Sequence, residues 1–307
     1  MPLLHASATA KTFRPATFAI IIAIHLLAFS AIFTFSWQGL VAFLVMGFVT
    51  GCLGITLCYH RLLSHKSFKA HPWVKNFLML CGVLTLEGDP NWWVANHRLH
   101  HKEADRDLDP HSPLVSLAWS HILWLFFANP KLEKDSIKSK LIPDLINDPA
   151  AKFFEKAFLP INLAFPALLY GLGYLIGGPK IALSLLCWGG FFRIVWVWHI
   201  TWCVNSVTHI WGYTNYKVRD ESLNLWWVGI FAFGEGWHNN HHAFPATART
   251  GHKWWEFDPT YGIIALLKTV GLASDLVPLP THQRLAKTTG TVTALPSLDE
   301  PRAIANK

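Results

Sequence analysis

The residues best suited to chemistry are histidines that recur in short clusters. His238, His241 and His242 have the spacing i, i+3 and i+4, which places three imidazoles on one face of a helical turn. The other clustered members, in the motifs HRLHH and HRLLSH, are His97, His100, His101, His60 and His65. Such repeated spacing is a poor match to chance in a chain with 17 His. The clusters predict a metal site.

The number of clustered imidazoles indicates more than one metal ion. A structural zinc takes about four protein ligands, and a catalytic zinc takes about three and a water. The three histidine motifs offer more ligands than one such ion uses, so they suit two ions. Neutral imidazole binds Zn, Cu, Fe and Ni alike, and the spacing alone leaves the metal open.

The rest of the chain has the composition of a membrane protein. It is 52% hydrophobic and only 15% charged. Residues 17–36 and 40–59 form two apolar segments, each long enough to cross a bilayer, and residues 158–176 and 181–204 form a second pair around a Gly-Gly-Pro-Lys turn. The pattern predicts an all-α membrane protein with four transmembrane helices in two hairpins, organised as one domain over 1–307.

The basic residues predict the orientation. All of the 26 Lys and Arg except Lys180 and Arg193 fall on the side of the membrane that carries both termini and every histidine motif. The positive-inside rule makes that side cytoplasmic. We therefore expect cytosolic parts at 60–157 and 205–279 and a loose tail at 280–307. The basic residues lack the stacking pattern of a nucleic-acid binder, and we expect no nucleic-acid partner.

Local spacing raises two questions about the metal ligands. His60 and His65 are five residues apart, which on an ideal α-helix separates them by about 140°, so they face one ion only if the helix ends or bends. Asn205 and His209 are spaced i, i+4 at the end of the last span, and His209 is predicted to be a ninth imidazole at the site.

Two further segments flank the histidine motifs. The apolar stretch 73–86 is too short to span and contains Lys75, which predicts an interfacial or re-entrant helix. The acidic stretch 102–111 has two interpretations. It is a solvated loop, or its carboxylates accept hydrogen bonds from the outer ring nitrogens of metal-bound histidines.

Taken together, HRLLSH, HRLHH, NSVTH, the DPH after the second cluster and GEGWHNNHHAFP resemble the membrane fatty acyl desaturase family of the Δ9 type. The resemblance implies an O₂-dependent oxidoreductase with a cytosolic helical cap that holds two Fe ions. It also implies that Asn205 contacts one metal through water. The implied iron ligands are His60, His65, His97, His100, His101, His209, His238, His241 and His242.

The resemblance also concerns the substrate. Trp93, Thr201 and Trp202 match residues that line and bend the acyl channel of the family, while Glu87 stands where the animal enzymes have Gln. The positions of the basic residues that bind CoA in animal members are here Ala95, Ala128 and Asn129. These neutral residues favour an acyl chain esterified in a glycerolipid over acyl-CoA.

The sequence contains no GxGxxG, P-loop or cytochrome b5-like segment, so a separate electron donor of the ferredoxin or cytochrome b5 type is expected. Three other functions stay open. A hydroxylase or ketolase can use the same di-iron site. A metal transporter would line its path with histidines, but only His25 and His199 lie within the predicted spans. A structural scaffold gives no reason for nine convergent imidazoles.

Overall fold

A computed structural model describes residues 12–128 and 135–279, and the architecture is almost entirely helical. The predicted loose tail at 280–307 lies outside the described residues, as does Asn129, one of the three neutral residues that favour a glycerolipid over acyl-CoA. Two short antiparallel ribbons complete the fold. Strand β1 (Thr12–Phe13) pairs with β3 (Phe127–Ala128), and β2 (Lys69–Ala70) pairs with β4 (Ala273–Ser274).

Three helical stretches of the described chain are long and apolar enough to cross a membrane. The first is α1 (Pro15–Ala28) with a 3₁₀ extension over Phe29–Phe33. The second is α2 (Trp37–Gly47), which continues without a break as a π-helix over Phe48–Ser64. They contain most of the predicted spans 17–36 and 40–59.

The third stretch contains the other two predicted spans. It comprises α7 (Pro149–Ser184), a π-helical segment (Leu185–Phe192) and α8 (Arg193–Asn205). The backbone leaves helical geometry at Gly177 and Gly178, where Gly178 has φ 74°. The segments before and after this turn pack closely against each other. Gly173 and Ala182 are so near that a Cβ added at Gly173 would lie 2.6 Å from Ala182 Cα. The predicted turn is therefore present within one stretch.

Helix α3 (Pro72–Val83) ends inside the protein, against α8. The carbonyls of the two residues after its end, Leu84 and Thr85, accept from side chains of α8. Arg193 Nη1 donates to Leu84 O at 2.6 Å, and Trp198 Nε1 donates to Thr85 O at 2.9 Å. Arg193 is fully buried, in agreement with the expectation that a charged residue within a span faces the protein interior.

The remaining helices surround the end of the long π-helix. Asp89 caps α4 (Pro90–Glu103) by accepting from Asn91 N and Trp92 N. The other elements are α5 (Leu117–His121), a 3₁₀ turn (Leu123–Phe126), α6 (Asp135–Leu141), a 3₁₀ turn (Val207–His209), α9 (Trp226–Phe231), α10 (His238–Ala243) and α11 (Pro259–Thr269). The largest core cluster packs the π-helix against α3, α4, α7 and α11.

Candidate metal centre

The π-helix explains how His60 and His65 reach the same site. In a π-helix the backbone bonds run from residue i to i+5, so side chains five residues apart return to nearly the same face. His65 N donates to His60 O at 3.1 Å, which closes the last such turn. The two rings lie 4.8 Å apart between centroids. The helix also ends at Ser64, between the two histidines, as the spacing required of an ideal α-helix.

Helices α4 and α10 each divide their histidines between two sites. The ligand nitrogens form one group of five and one group of four, and within each group they lie within 4.8 Å of one another. The five-histidine site consists of His60, His65, His97, His101 and His241. The four-histidine site consists of His100, His209, His238 and His242. All nine predicted imidazoles are therefore brought together, in two adjoining sets.

Within each site the Nε2 atoms converge. In the five-histidine site, His60 Nε2 lies 3.0 Å from His241 Nε2, and His241 Nε2 lies 2.9 Å from His101 Nε2. In the four-histidine site, His209 Nε2 lies 3.1 Å from His238 Nε2. These rings thus present the same nitrogen to a shared centre.

Carboxylates contact the opposite nitrogen, Nδ1, of four of these rings. Asp109 accepts from His100 Nδ1 at 3.0 Å, and Asp220 accepts from His242 Nδ1 at 3.0 Å. The other two are ion-pair contacts with less directional geometry: Glu235 Oε2 to His60 Nδ1 at 2.8 Å, and Asp105 Oδ2 to His209 Nδ1 at 3.4 Å. The second interpretation of the acidic stretch 102–111 is the one that the structure supports.

These contacts fix the chemistry of the facing nitrogens. An ionised carboxylate is only an acceptor, so Nδ1 must carry the proton and Nε2 of a neutral ring presents a lone pair. Burial, together with neighbouring imidazoles, holds the pKa values of His97, His101 and His241 well below their ordinary range. Burial raises the pKa of Asp109, but His100 and His111 outweigh it, so the pKa of this carboxyl is lowered.

The donor set fits a cation between the rings. Neutral imidazoles whose Nε2 lone pairs point at one another from about 3 Å repel unless a positive ion lies between them. Five imidazoles at one site and four at the other suit intermediate metals such as Zn, Fe, Cu or Ni better than Mg or Ca, which prefer oxygen ligands.

An apolar cavity adjoins both sites. His60 and His97 of the five-histidine site and His100 and His238 of the four-histidine site line one end of it, together with Asn205. Its walls come from the π-helix, α8, the end of α9 and the segment that follows. They include Ile55, Val197, Ile200, Val204, Phe231 and Phe233. An apolar lining of this kind suits a hydrocarbon chain.

Two of the four predicted channel residues line this cavity, Trp93 and Thr201. Glu87 lies behind them, where its Oε2 accepts from Trp93 Nε1 at 3.2 Å. Trp202 is not among the residues that line this cavity, because it points to another side of α8. It is buried there against Trp198, with ring centroids 5.6 Å apart.

Sequence reasoning missed most of the groups that hold the motifs in place. Arg61, fully buried, donates to Glu235 at 3.1 Å and to Asp258 at 3.0 Å, and thereby ties the first histidine motif to the third. Asn239 and Asn240, the middle residues of HNNHH, are fully buried and bond to the flanking loops. The only sign of this role in the sequence was the pair of asparagines between the histidines of HNNHH.

His111, from the DPH motif, is a further histidine beside the centre. Its ring lies 4.4 Å from that of His100 between centroids, and its Nδ1 is 3.8 Å from Asp109. It thus packs behind the four-histidine site on the same aspartate. Burial and the neighbouring His100 lower the pKa of His111 to about 3.

With the geometry established, comparisons with known proteins identify the family. A family model described as fatty acid desaturase matches residues 35–266. This chain belongs to the fatty acid desaturase family. The desaturase is 45% identical over 242 residues to a protein of Anabaena variabilis named sn-1 stearoyl-lipid 9-desaturase, covering 79% of this chain and 85% of that protein.

Two other relatives bear on the substrate. A sn-2 palmitoyl-lipid 9-desaturase of Nostoc sp. (strain 36) is 43% identical, over 83% of this chain and 87% of its own length. An icosanoyl-CoA 5-desaturase of Limnanthes douglasii is 42% identical, over 87% of this chain and 73% of its own length. Proteins that are similarly related to this desaturase are thus named for different acyl carriers and bond positions.

Proposed function

We propose that this desaturase introduces a cis double bond at Δ9 of a saturated acyl chain esterified in a glycerolipid, using O₂ and a di-iron centre. The observation that carries the proposal is the convergence of nine imidazoles into two sites at the end of an apolar cavity. The overall reaction takes one O₂, two electrons and two protons, removes two hydrogens from the chain and releases two waters.

Iron is the metal that suits this reaction and this donor set. Zinc binds imidazole equally well but has no redox chemistry, so it cannot take part in removing hydrogen from an unactivated methylene. A bound iron pair would supply the redox chemistry that no side chain has. His60, His65, His97, His101 and His241 would hold one iron. His100, His209, His238 and His242 would hold the other, with Asn205 acting through a water.

The protein's own residues position and shield the reacting carbons. Asp109 and Asp220 fix the tautomers of His100 and His242, so that Nε2 faces the centre, and Glu235 and Asp105 lie beside Nδ1 of His60 and His209. The apolar walls exclude water from the cavity. Trp93 and Thr201 stand where the cavity meets the ligands, and they would bend the chain so that a particular carbon pair lies at the metals.

The acyl carrier is argued from charge and from the relatives. Binding CoA calls for cations that form charge-assisted hydrogen bonds with its phosphates. The corresponding positions Ala95 and Ala128 are buried and neutral. A glycerolipid needs no such clamp because it is already concentrated in the bilayer. The names of the Anabaena and Nostoc relatives support this carrier, while the Limnanthes relative makes acyl-CoA the alternative.

The membrane arrangement follows the same reasoning. We place four crossings in two hairpins, because the stretch from α7 to α8 turns back at Gly177 and Gly178. Residues 60–157 and 205–279 would form one cytosolic cap on a single domain, with both termini on that side. A separate acidic carrier, a ferredoxin or cytochrome b5, would deliver the electrons to the basic cytosolic face.

Lipid analysis of a desaturase-deficient host that expresses the chain tests the reaction. We expect monounsaturated chains with a Δ9 cis bond, and none from a His241→Ala variant. A hydroxylated or keto product in place of the alkene would assign the same centre to the alternative chemistry. Metal uptake into vesicles without any lipid product would support a transporter instead.

The carrier requires a second experiment. Acyl chains labelled in a short pulse should become unsaturated only after they appear in glycerolipid. Prompt desaturation of acyl-CoA by the purified protein in lipid-depleted detergent, with competition by free CoA, would restore the acyl-CoA alternative.

A further inference from the structure

The two histidine sites differ sharply in the charge behind their ligands. Three aspartates lie behind the four-histidine site: Asp109 on His100, Asp220 on His242 and Asp105 on His209. Within the ranges 12–128 and 135–279, none of the three forms an ion pair with a lysine or arginine. Within these ranges their negative charge is therefore not neutralised by a lysine or arginine, although each also accepts from a backbone N–H.

The five-histidine site has one carboxylate, and that carboxylate is shared with a cation. Glu235 contacts His60 Nδ1, but its other oxygen accepts from Arg61 Nε at 3.1 Å, with both side chains buried. A second guanidinium lies on α4 between His97 and His101, where Arg98 Nε donates to Ser64 O at 3.0 Å. Both arginines also pair with an aspartate away from the rings, Arg61 with Asp258 and Arg98 with Asp144. The difference between the sites is therefore one arginine-shared carboxylate behind the five-histidine site against three aspartates behind the other.

We infer that the four-histidine site stabilises Fe(III) and that the five-histidine site is the first to be reduced. A carboxylate behind an imidazole makes the ring a stronger electron donor and favours the higher charge on the metal. The single carboxylate behind the five-histidine site is shared with Arg61, so less negative charge stabilises a metal ion there. One electron added to the diferric protein would thus give Fe(II) at the five-histidine site and leave Fe(III) at the other, while the external reductant loses that electron.

This inference rests on the proposed di-iron function, and it gives Asp105, Asp109 and Asp220 the role of positioning residues. An Asp220→Asn change is informative because Ser222 N–H, which donates to Asp220 Oδ1, would hold the amide oxygen, so that the NH₂ faces His242 Nδ1 and favours the opposite tautomer. That tautomer carries its proton on Nε2, where the metal lone pair is needed. The substitution thus removes a charge and weakens one named ligand at one site.

The experiment uses the full-length protein purified with ⁵⁷Fe and read by Mössbauer spectroscopy before and after one electron equivalent of dithionite. Asp220→Asn should alter the signal of one iron only, which assigns that signal to the four-histidine site. In the wild-type protein the assigned iron should stay ferric after the first electron. The same variant should lose iron from that site to a chelator at 10- to 100-fold lower concentration, roughly the usual effect of such a substitution.

Three comparisons complete the test. Asp109→Asn acts through His100 and gives an independent assignment if Asp220→Asn does not fold. Glu235→Gln should alter the other iron signal. Asp107→Asn, an exposed aspartate of the loop that carries Asp105 and Asp109, should alter neither.

The contradicting results are distinct for the inference and for the proposed function. If the first electron reduces the iron that Asp220→Asn alters, or distributes equally over both irons, the inference is wrong while the di-iron function stands. If the protein holds no iron, both are wrong.

Discussion

At the scale of single residues, each candidate ligand is defined by the group that its Nε2 faces, the other imidazoles of its site. His101 and His241 belong to the five-histidine site, and each contributes Nε2 to it. Replacing either with alanine should abolish desaturation and lower the iron content, because no other ring of the site can move to its place. Membrane insertion should be unchanged, as measured by carbonate extraction. His71→Ala, at a histidine outside both sites, should retain full activity.

The channel residues should respond differently from the ligands. Trp93→Ala and Thr201→Ala remove cavity wall without removing a ligand. We expect a changed chain-length preference or double-bond position, measured by gas chromatography of the products, at unchanged iron content. Loss of iron with an unchanged product pattern would show that these side chains support the metal site instead.

Glu87 should make the stability of the fold depend on pH. Burial, against the opposing hydrogen bonds from Thr201 and Trp93, raises the pKa of Glu87 from 4.5 to about 8. Between these values the folded protein keeps a proton that the unfolded chain releases. The free energy of unfolding therefore falls as pH rises through this window, by at most about 1.4 kcal/mol per pH unit.

The neutral variant Glu87→Gln should remove this component. Thermal unfolding of the detergent-solubilised protein between pH 5.5 and 8 should show a shallower decline for Glu87→Gln than for the wild-type protein. Glu221→Gln, at an exposed glutamate, is the matched control and should keep the original slope. Identical slopes for Glu87→Gln and the wild-type protein would mean that Glu87 does not bind this proton.

The histidines themselves could be predicted from sequence, whereas their partners were only partly predictable. The spacings i, i+3 and i+4 identify rings on a shared face whatever the rest of the chain does. Asp105 and Asp109 were within reach because they follow a histidine motif closely. Asp220 and Glu235 contact rings that are distant in sequence. Glu235 and His60, for example, are 175 positions apart. Only the tertiary fold brings such pairs together.

At the scale of elements, the π-helix and its contact with α3 determine the position of the first histidine motif. Gly54 lies in that helix, where an added Cβ would be 2.5 Å from Cys81 O. Gly54→Ala should destabilise the protein by about 1–3 kcal/mol, because the backbone of α3 must move. Gly47→Ala is the control, since a Cβ at this position meets nothing within 4 Å.

The readout is the unfolding temperature in detergent and the yield of folded protein. Equal stability of Gly54→Ala and Gly47→Ala would contradict the close packing of the two helices. The apolar segments and their approximate limits could be predicted, since hydropathy acts locally. The π-helical winding could not, because α- and π-helices have the same apolar composition and differ only in backbone bonding.

At the scale of the whole molecule, the proposed topology places Lys180 and Lys102 on opposite sides of the membrane. Cysteines introduced as Lys180→Cys and Lys102→Cys can be labelled with an impermeant maleimide. We expect labelling of the first in intact cells and of the second only in inverted vesicles. Four of the five native cysteines are buried and should react slowly. Labelling of both sites from the same side would contradict the second hairpin.

The most direct test of the central claim is the metal content of the purified protein. Two groups of imidazoles, five and four in number, converge around separate centres in the described chain. Elemental analysis after anaerobic purification should therefore find two iron atoms per chain and little zinc. A single zinc with no iron would contradict the account, because zinc cannot support the oxidation on which the proposed desaturation depends.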